Sequence, residues 1–250
     1  MRTAIFLLTA ALTAAALWAD TRTEILSRYQ KNGLRFVSIK GVPDQEFGGL
    51  MVKHIYGLLK IPVTITPLPG KRALENAKKG IADGESMRIM KIQEVAPTLI
   101  RLSPHISVVE GSVFSKHETL SVDGWDSLSK HTVGIVRGVQ YVEDGAKGIS
   151  KVHRVGNTKA LMQLLDSGRV DLAVTARYNG IYLLKKMKLH ETIKPLHPPV
   201  TTLRLYNYLH VKHRELAPIV EDHLQGLHKT GELQRLKERF SNQVLNETAM

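Results

Sequence analysis

Apolar and polar residues along this chain fall into short blocks whose period switches between that of a strand and that of a helix. Leu34–Ile39 (LRFVSI) is an extended run, and Gln45–Leu59 spaces Phe47, Leu50, Met51, His54, Ile55 and Leu58 three and four apart, as one face of a helix does. Pro62 leads into a second strand, Val63–Thr66. Pro69-Gly70 then turns the chain into a short helix, Lys71–Lys79, which Gly80 closes. Ile81–Ser86 reads as a short strand, and Leu99–Phe114 holds two extended runs, LIRLS and ISVVEGSVF.

The second half repeats the alternation. Trp125–Leu128 is a helical turn before a buried strand, Thr132–Val136. Gly138–Lys147 carries a turn and a helix start, and Val152–Val155 is a strand. Asn157-Thr158 opens a helix that runs to Ser167 and ends at Gly168. Val170–Thr175 is another buried strand, Tyr178–Met187 a helix, and Leu203–Val211 a strand rich in Tyr and Leu. Two terminal helices, Glu215–Lys229 and Glu232–Phe240, are split by Gly231, and the last ten residues are expected to fray. Strands and helices that alternate in this way predict an α/β chain of two βα lobes.

Composition narrows the classes. The 250 residues are 43% hydrophobic and 23% charged, which is ordinary for a globular protein and excludes a disordered or collagen-like chain. There is no cysteine, so disulfides, thiolate metal sites, cysteine nucleophiles and a lipidated cysteine anchor are all excluded. Residues 1–19 (MRTAIFLLTAALTAAALWA) have one basic residue, a short apolar run and small residues before Asp20, the layout of a secretory leader cut after Ala19 or Ala16. That run is shorter than the roughly 20 apolar residues a membrane span needs. The net charge of +12 becomes +11 once Arg2 leaves with the leader. The expectation is an exported protein of the periplasm, without a lipid tether.

Five segments, in order, carry a resemblance. They are Leu34–Leu59; Val63–Arg88, with its Gly-x-x-Asp-Gly; Ser127–Gly145, with a buried strand and Gly-x-x-Tyr; Gly156–Val174, with Gly-Arg-Val-Asp-Leu-Ala; and Tyr206–Phe240. Together they resemble the bacterial periplasmic solute-binding proteins of family 3, the amino-acid-binding type, over nearly the whole mature chain. The resemblance implies a type II periplasmic binding fold, with two α/β lobes, two crossover strands acting as hinges, and a ligand held in the interlobe cleft. Lobe one would be residues 20–109 plus 201–250, and lobe two 110–200. The crossovers would lie near Ser107–Ser115 and Pro199–Leu205. It implies a monomer that captures a small molecule for an ABC-type permease, with no cofactor and no metal. A ligand-presenting sensor is the alternative, and a dehydratase-like enzyme on the same fold a further one.

Site residues follow from the same resemblance. Arg88, after the strand at the cleft wall, would grip a ligand carboxylate, because a guanidinium fork matches a carboxylate with two parallel bonds. It departs from the family pattern, in which that arginine comes later, after a Thr-x-x-Arg turn, and the other reading is a surface arginine. Arg72 faces the cleft or is a solvated helix residue, and Glu85 is a ligand contact or exposed. Gly138, Gln140 and Tyr141 open a helix whose free amides favour an anionic group, or they form a tight turn. Asn157 and Thr158 are a comparable helix start, or a simple cap. Arg177 stands where amino-acid binders usually carry an acid for the ligand ammonium, in the run Thr175-Ala176-Arg177. Two cations and no clear acid point to a carboxylate-rich or otherwise anionic ligand, while the resemblance implies a small polar, amino-acid-like one.

Other functions have less behind them. The 11 histidines are scattered, and neither His-Glu-x-x-His nor Gly-x-Ser-x-Gly occurs, so no catalytic residue is assigned. The basic residues are spread along helices without interleaved aromatics, which reads as solvated faces and not as a nucleic-acid surface.

Overall fold

A computed structural model describes residues 19–117 and 120–246. Helix α1 covers residues 19–32. It is followed by β1 (Leu34–Ile39), α2 (Pro43–Leu58), β2 (Val63–Leu68), α3 (Gly70–Lys78), β3 (Gly84–Ile89), the single turn α4 (Ile92–Val95), β4 (Leu99–Arg101) and β5 (Ser107–Ser115). Then come β6 (Val133–Val136), α5 (Gln140–Gly145), β7 (Val152–Val155), α6 (Thr158–Asp166), β8 (Leu172–Ala176) and α7 (Arg177–Lys186). The chain closes with β9 (Lys194–Pro195), β10 (Thr201–His210), α8 (Ala217–Lys229) and α9 (Glu232–Asn246). The described chain divides into two compact units. The first takes residues up to Lys40, Gly48–Ile106 and Tyr206–Leu236; the second takes Gly41–Phe47, Ser107–Leu205 and the chain from Lys237 onward.

In the first unit β1 is parallel to β2 from Leu34↔Val63 to Ile39↔Leu68, and parallel to β3 at Phe36↔Gly84 and Val37↔Glu85. The end of β10 lies next in order, with β4 antiparallel to it. The outer strand β2 alternates between half-buried and exposed positions and tolerates Pro67, as an edge strand does. Helix α3 buries only Ala73 and Ala77, so small side chains let it lie close to Val37, Tyr206 and Tyr208.

In the second unit β6 lies between β7 and β8, parallel to both, and β8 is antiparallel to β5. Every residue of β6 and β8 is buried, the signature of strands covered on both faces. Alternate residues serve opposite faces. Val113, Val133, Ile135 and Val174 join one core with Leu128, Val142 and Leu196. Phe114, Val136 and Ala173 join another with Leu161, Met162, Leu165 and Leu184 of α6 and α7. Fully burying each such side chain contributes about 1.5–3 kcal/mol.

Besides the two-residue β9, which was not foreseen, four elements differ from the sequence reading. Residues 19–32 are helical, with Ile25 and Tyr29 buried four apart on one face, where no element was expected. The leader read at 1–19 lies, apart from Ala19, outside the described residues. The strand expected at Ile81–Ser86 begins three residues later, so Arg88 lies on β3 and not after it. Asp83 explains the shift: its N–H donates to the Arg35 carbonyl and its Oδ2 accepts from the Arg35 N–H, each at 2.7 Å, which leaves β3 to start at Gly84. Only glycine fits there, since a Cβ would stand 2.0 Å from the Tyr208 carbonyl oxygen. A short turn at Ile92–Val95 was not foreseen. Finally, α9 continues through Asn246 where fraying was expected, because Val244 is buried and Tyr178 Oη donates to the Ser241 carbonyl at 2.8 Å.

Candidate functional site

The first unit contains Arg72, Glu85 and Arg88. Glu85 points inward from β3 and is 1% exposed, which removes the exposed alternative. Arg88, three residues on, folds its long side chain back over it. Its Nε donates to Glu85 Oε2, and its Nη2 donates to Glu85 Oε1 at 3.0 Å and to the Gly70 carbonyl at 2.9 Å. Burial pushes the Glu85 carboxyl up, while the Arg88 charge pulls it back. The fork expected to hold a ligand carboxylate is therefore closed on a carboxylate of its own chain. Its Nη1 has no hydrogen-bond partner among the described residues. Arg72 is exposed on the first turn of α3.

A second polar network in this unit joins Asp83 to β10's end. Asp83 Oδ1 accepts from Lys212 Nζ at 2.7 Å and lies 2.9 Å from His213 Nε2, while His213 Nδ1 is 2.9 Å from Tyr29 Oη. Partial burial works to raise the Asp83 carboxyl, but the bonds from His213, Lys212 and the Arg35 amide prevail and hold it far below the usual carboxylate range.

The second unit contains the other six expected residues. The Gly138 N–H donates to Glu143 Oε1 at 3.0 Å, and Gln140 Nε2 donates to Asp144 Oδ1 at 3.1 Å. Asn157 Oδ1 accepts the Ala160 N–H at 2.9 Å and caps α6, with Thr158 half-buried behind it. At both helix starts, polar groups expected to face a ligand are thus bonded within the chain. Tyr141 is different. Its ring lies against Gly111, its hydroxyl is buried without a hydrogen-bond partner, and burial followed by the charge of Asp44 raises its phenol.

Arg177 opens α7 beside a cavity of about 210 Å³, lined by Asp44, Phe47, Val108, Val109, Glu110, Ala176, Arg177, Tyr178, Ile181, Lys237 and Ser241. Arg177 Nη1 donates to His197 Nε2 at 2.9 Å, and its Nε lies 3.7 Å from Glu110 Oε2. Asp44, in the first turn of α2, is 8% exposed, and its N–H donates to the buried Asn179 Oδ1 at 2.9 Å. Burial pushes the Asp44 carboxyl up to about 6, against hydrogen bonds from Asn179 and Gln45. Asp44 Oδ1 and the neighbouring Gln45 Oε1 are both buried without a hydrogen-bond partner among the described residues. A buried polar atom with its bond unmade costs about 1–3 kcal/mol. Three such atoms lie in one neighbourhood, counting Tyr141 Oη, which the Asp44 charge reaches.

Of the expected residues, the structure pairs Glu85 with Arg88 and brings Arg177 to the same cavity as Asp44, with Tyr141 within reach of its charge. Sequence reasoning missed Asp44, Gln45, Asn179, Glu110 and Lys237. An acid in a first helical turn is sufficiently explained by the helix dipole, so nothing local marked Asp44 as buried. Among the described residues no group of three or more His, Asp or Glu side chains is placed to hold a metal ion, and no helix is long and apolar enough to cross a membrane.

No family model and no curated protein matches the chain. Its similarity is to solved structures. An ancestral cationic amino acid solute-binding protein superposes with a TM-score of 0.69 at 17% identity, over 86% of this chain and 98% of that one. A histidine kinase sensor domain with similarity to periplasmic binding proteins gives 0.66 at 16%, over 83% and 95%. The chain has the type II periplasmic-binding fold. An amino acid ABC transporter substrate-binding protein from Streptococcus pneumoniae, bound to L-arginine, gives 0.65 at 16% identity, over 88% and 99%. The periplasmic-binding fold thus serves a transport receptor in one of these relatives and a kinase sensor in another, so the backbone alone does not select a partner.

Proposed function

We propose that the chain is an exported, monomeric, non-catalytic receptor that captures a small polar metabolite and delivers it to a membrane permease. The observation that supports this is the cavity in the second unit, which the buried carboxylate of Asp44 lines with an Oδ1 that has no hydrogen-bond partner among the described residues. Of the ligand types the sequence suggested, the amino-acid-like one fits better than a plain anion. Arg88 already carries Glu85, and Asp44 provides the acid that the Thr175-Ala176-Arg177 run lacks. Tyr141 and Arg177 are the expected contacts with the strongest support. Gly138, Gln140, Asn157 and Thr158 shape the two helix starts of the second unit. A sensor is the second reading of the partner, favoured by the similarity to a kinase sensor domain.

Thermal-shift screening of the purified protein against amino acids, amines, dicarboxylates and sugars tests the proposal. A receptor is stabilised by a ligand at RT ln(1 + [L]/Kd) and returns it unchanged. Turnover of the stabilising compound would make the chain an enzyme.

A further inference from the structure

We infer that His213 is a proton-binding switch in the first unit: with a proton on each ring nitrogen it ties helix α1 to the end of β10, and the loss of one of them loosens α1. Its Nε2 lies 2.9 Å from Asp83 Oδ1, and its Nδ1 lies 2.9 Å from Tyr29 Oη, which in turn donates to Glu215 Oε1 at 3.2 Å. Three contacts in a row need three protons. Asp83 is an ionised acceptor, which Lys212 Nζ and the Arg35 N–H also engage. Glu215 Oε1 also takes Arg28 Nη2 at 2.5 Å, so it only accepts. Tyr29 brings one proton, and burial followed by the Glu215 charge pushes its phenol up to about 12, so it keeps it. A neutral imidazole supplies one more and leaves two acceptors facing each other with no hydrogen between them. An imidazolium supplies two, and every contact is made.

The cluster stands at the amino ends of β1 and β3, beside Arg35 and Asp83, whereas open α/β sheets hold ligands at the carboxyl ends of their strands. The side chains of His213 and Asp83 are only 14% and 10% exposed, but both line a cavity of about 450 Å³ through which water reaches the ring. The charged or titratable groups around His213 are Asp83, just before β3; Arg28 and Tyr29 of α1; Arg35 of β1; and His210, Lys212 and Glu215 at the end of β10. Lys212 works against a charged ring, since the two share Asp83 Oδ1. Asp83 directly, and Glu215 through Tyr29, work for it. A proton bound by contacts that only the folded chain possesses stabilises that chain while the pH is low enough to supply it. The stabilisation is therefore complete at mildly acid pH and lost as the pH rises through neutrality. Helix α1 is held elsewhere by Gln30 Nε2 donating to the Leu59 carbonyl at 3.0 Å and by Arg22 Nη1 donating to Asp222 at 2.9 Å. Losing the proton thus loosens the helix without freeing it.

Long-range proton–nitrogen spectra of the histidine rings in the purified protein test this, with His213 assigned by the signal missing from His213→Gln. At pH 7.5 both ring nitrogens of His213 should carry protons, where an unpaired imidazole is about 90% neutral. Tyr29→Phe removes the acceptor of the Nδ1 proton, so the His213 ring of that variant should be neutral at the same pH. Hydrogen exchange, corrected for the intrinsic effect of pH, should find the α1 amides of wild type at least tenfold less protected at pH 9 than at pH 6, with no such change in Tyr29→Phe. One proton on the wild-type ring at pH 7.5, both protons retained in Tyr29→Phe, or α1 protection that is the same at pH 6 and pH 9 overturns the proposal. If His213→Gln does not fold, the ring is assigned through its own backbone amide and the two wild-type measurements decide the question alone.

Discussion

Replacing Asp44 by Asn should make the ligand-free protein more stable near neutrality. Burial raises the Asp44 carboxyl from its ordinary 3.8 to about 6. A difference of about 2 pKa units at 1.36 kcal/mol each corresponds to about 3 kcal/mol. The folded value is raised, so the folded chain binds this proton more tightly than the unfolded one. The contribution is therefore fully favourable below about pH 4, where both states are protonated, and is lost as the pH climbs through about 6. An Asn of the same shape carries no charge to desolvate. Its gain over wild type should be close to zero at pH 4 and about 1–3 kcal/mol at pH 7, the lower figures allowing for an imperfectly bonded amide. Urea unfolding followed by circular dichroism at pH 4, 5, 6 and 7 measures this gap, and the difference between two proteins cancels every other titrating group. A gap that does not change with pH, or a variant less stable than wild type at pH 7, would refute the reasoning.

Four further outcomes follow from the geometry. Arg88→Met should cost about 3–5 kcal/mol, because it leaves Glu85 buried and unpaired, and adding Glu85→Gln should recover part of that loss in a double-mutant cycle by urea unfolding. Asp83→Ala should cost about 2–4 kcal/mol at pH 7, since the Arg35 amide, Lys212 and His213 all bond to this carboxylate. Because the folded Asp83 value is lowered, its stabilisation is complete above about pH 4 and lost at more acid pH, so the deficit of the Ala variant should shrink there. Gly84→Ala should yield insoluble or severely destabilised protein in expression trials, because its Cβ would meet the Tyr208 carbonyl at 2.0 Å. Asn157→Ala should lower stability by about 1 kcal/mol in thermal melting, the usual effect of losing a helix cap, without changing ligand affinity.

What the sequence made legible were the features decided by near neighbours. Strands β1 and β7 were read to the residue, since each alternation is bounded by its own turn signals. The Asn157 cap was read because acceptor and donor lie three residues apart. Strand β3 was misplaced because Ile81-Ala82 continue the apolar run, while the residues that set its start, Arg35 and Tyr208, are far away in the chain. The fork chemistry of Arg88 was also legible, but not its partner. On a strand, residues three apart have Cβ atoms on opposite faces, and only the length of the arginine side chain lets it return to Glu85.

Which ligand charge the site prefers was the least legible feature, and the reason is electrostatic. The two cations Arg88 and Arg177 suggested an anion, yet each faces a carboxylate of its own chain, Glu85 and Glu110. A carboxylate taken out of water acts in a medium of lower dielectric, where one charge at contact distance outweighs several at the surface. Asp44 is such a carboxylate, and it is buried because Asn179, 135 residues later, receives its backbone N–H. Under the receptor proposal, a buried group of this kind weighs more in ligand selection than charges that stay in water.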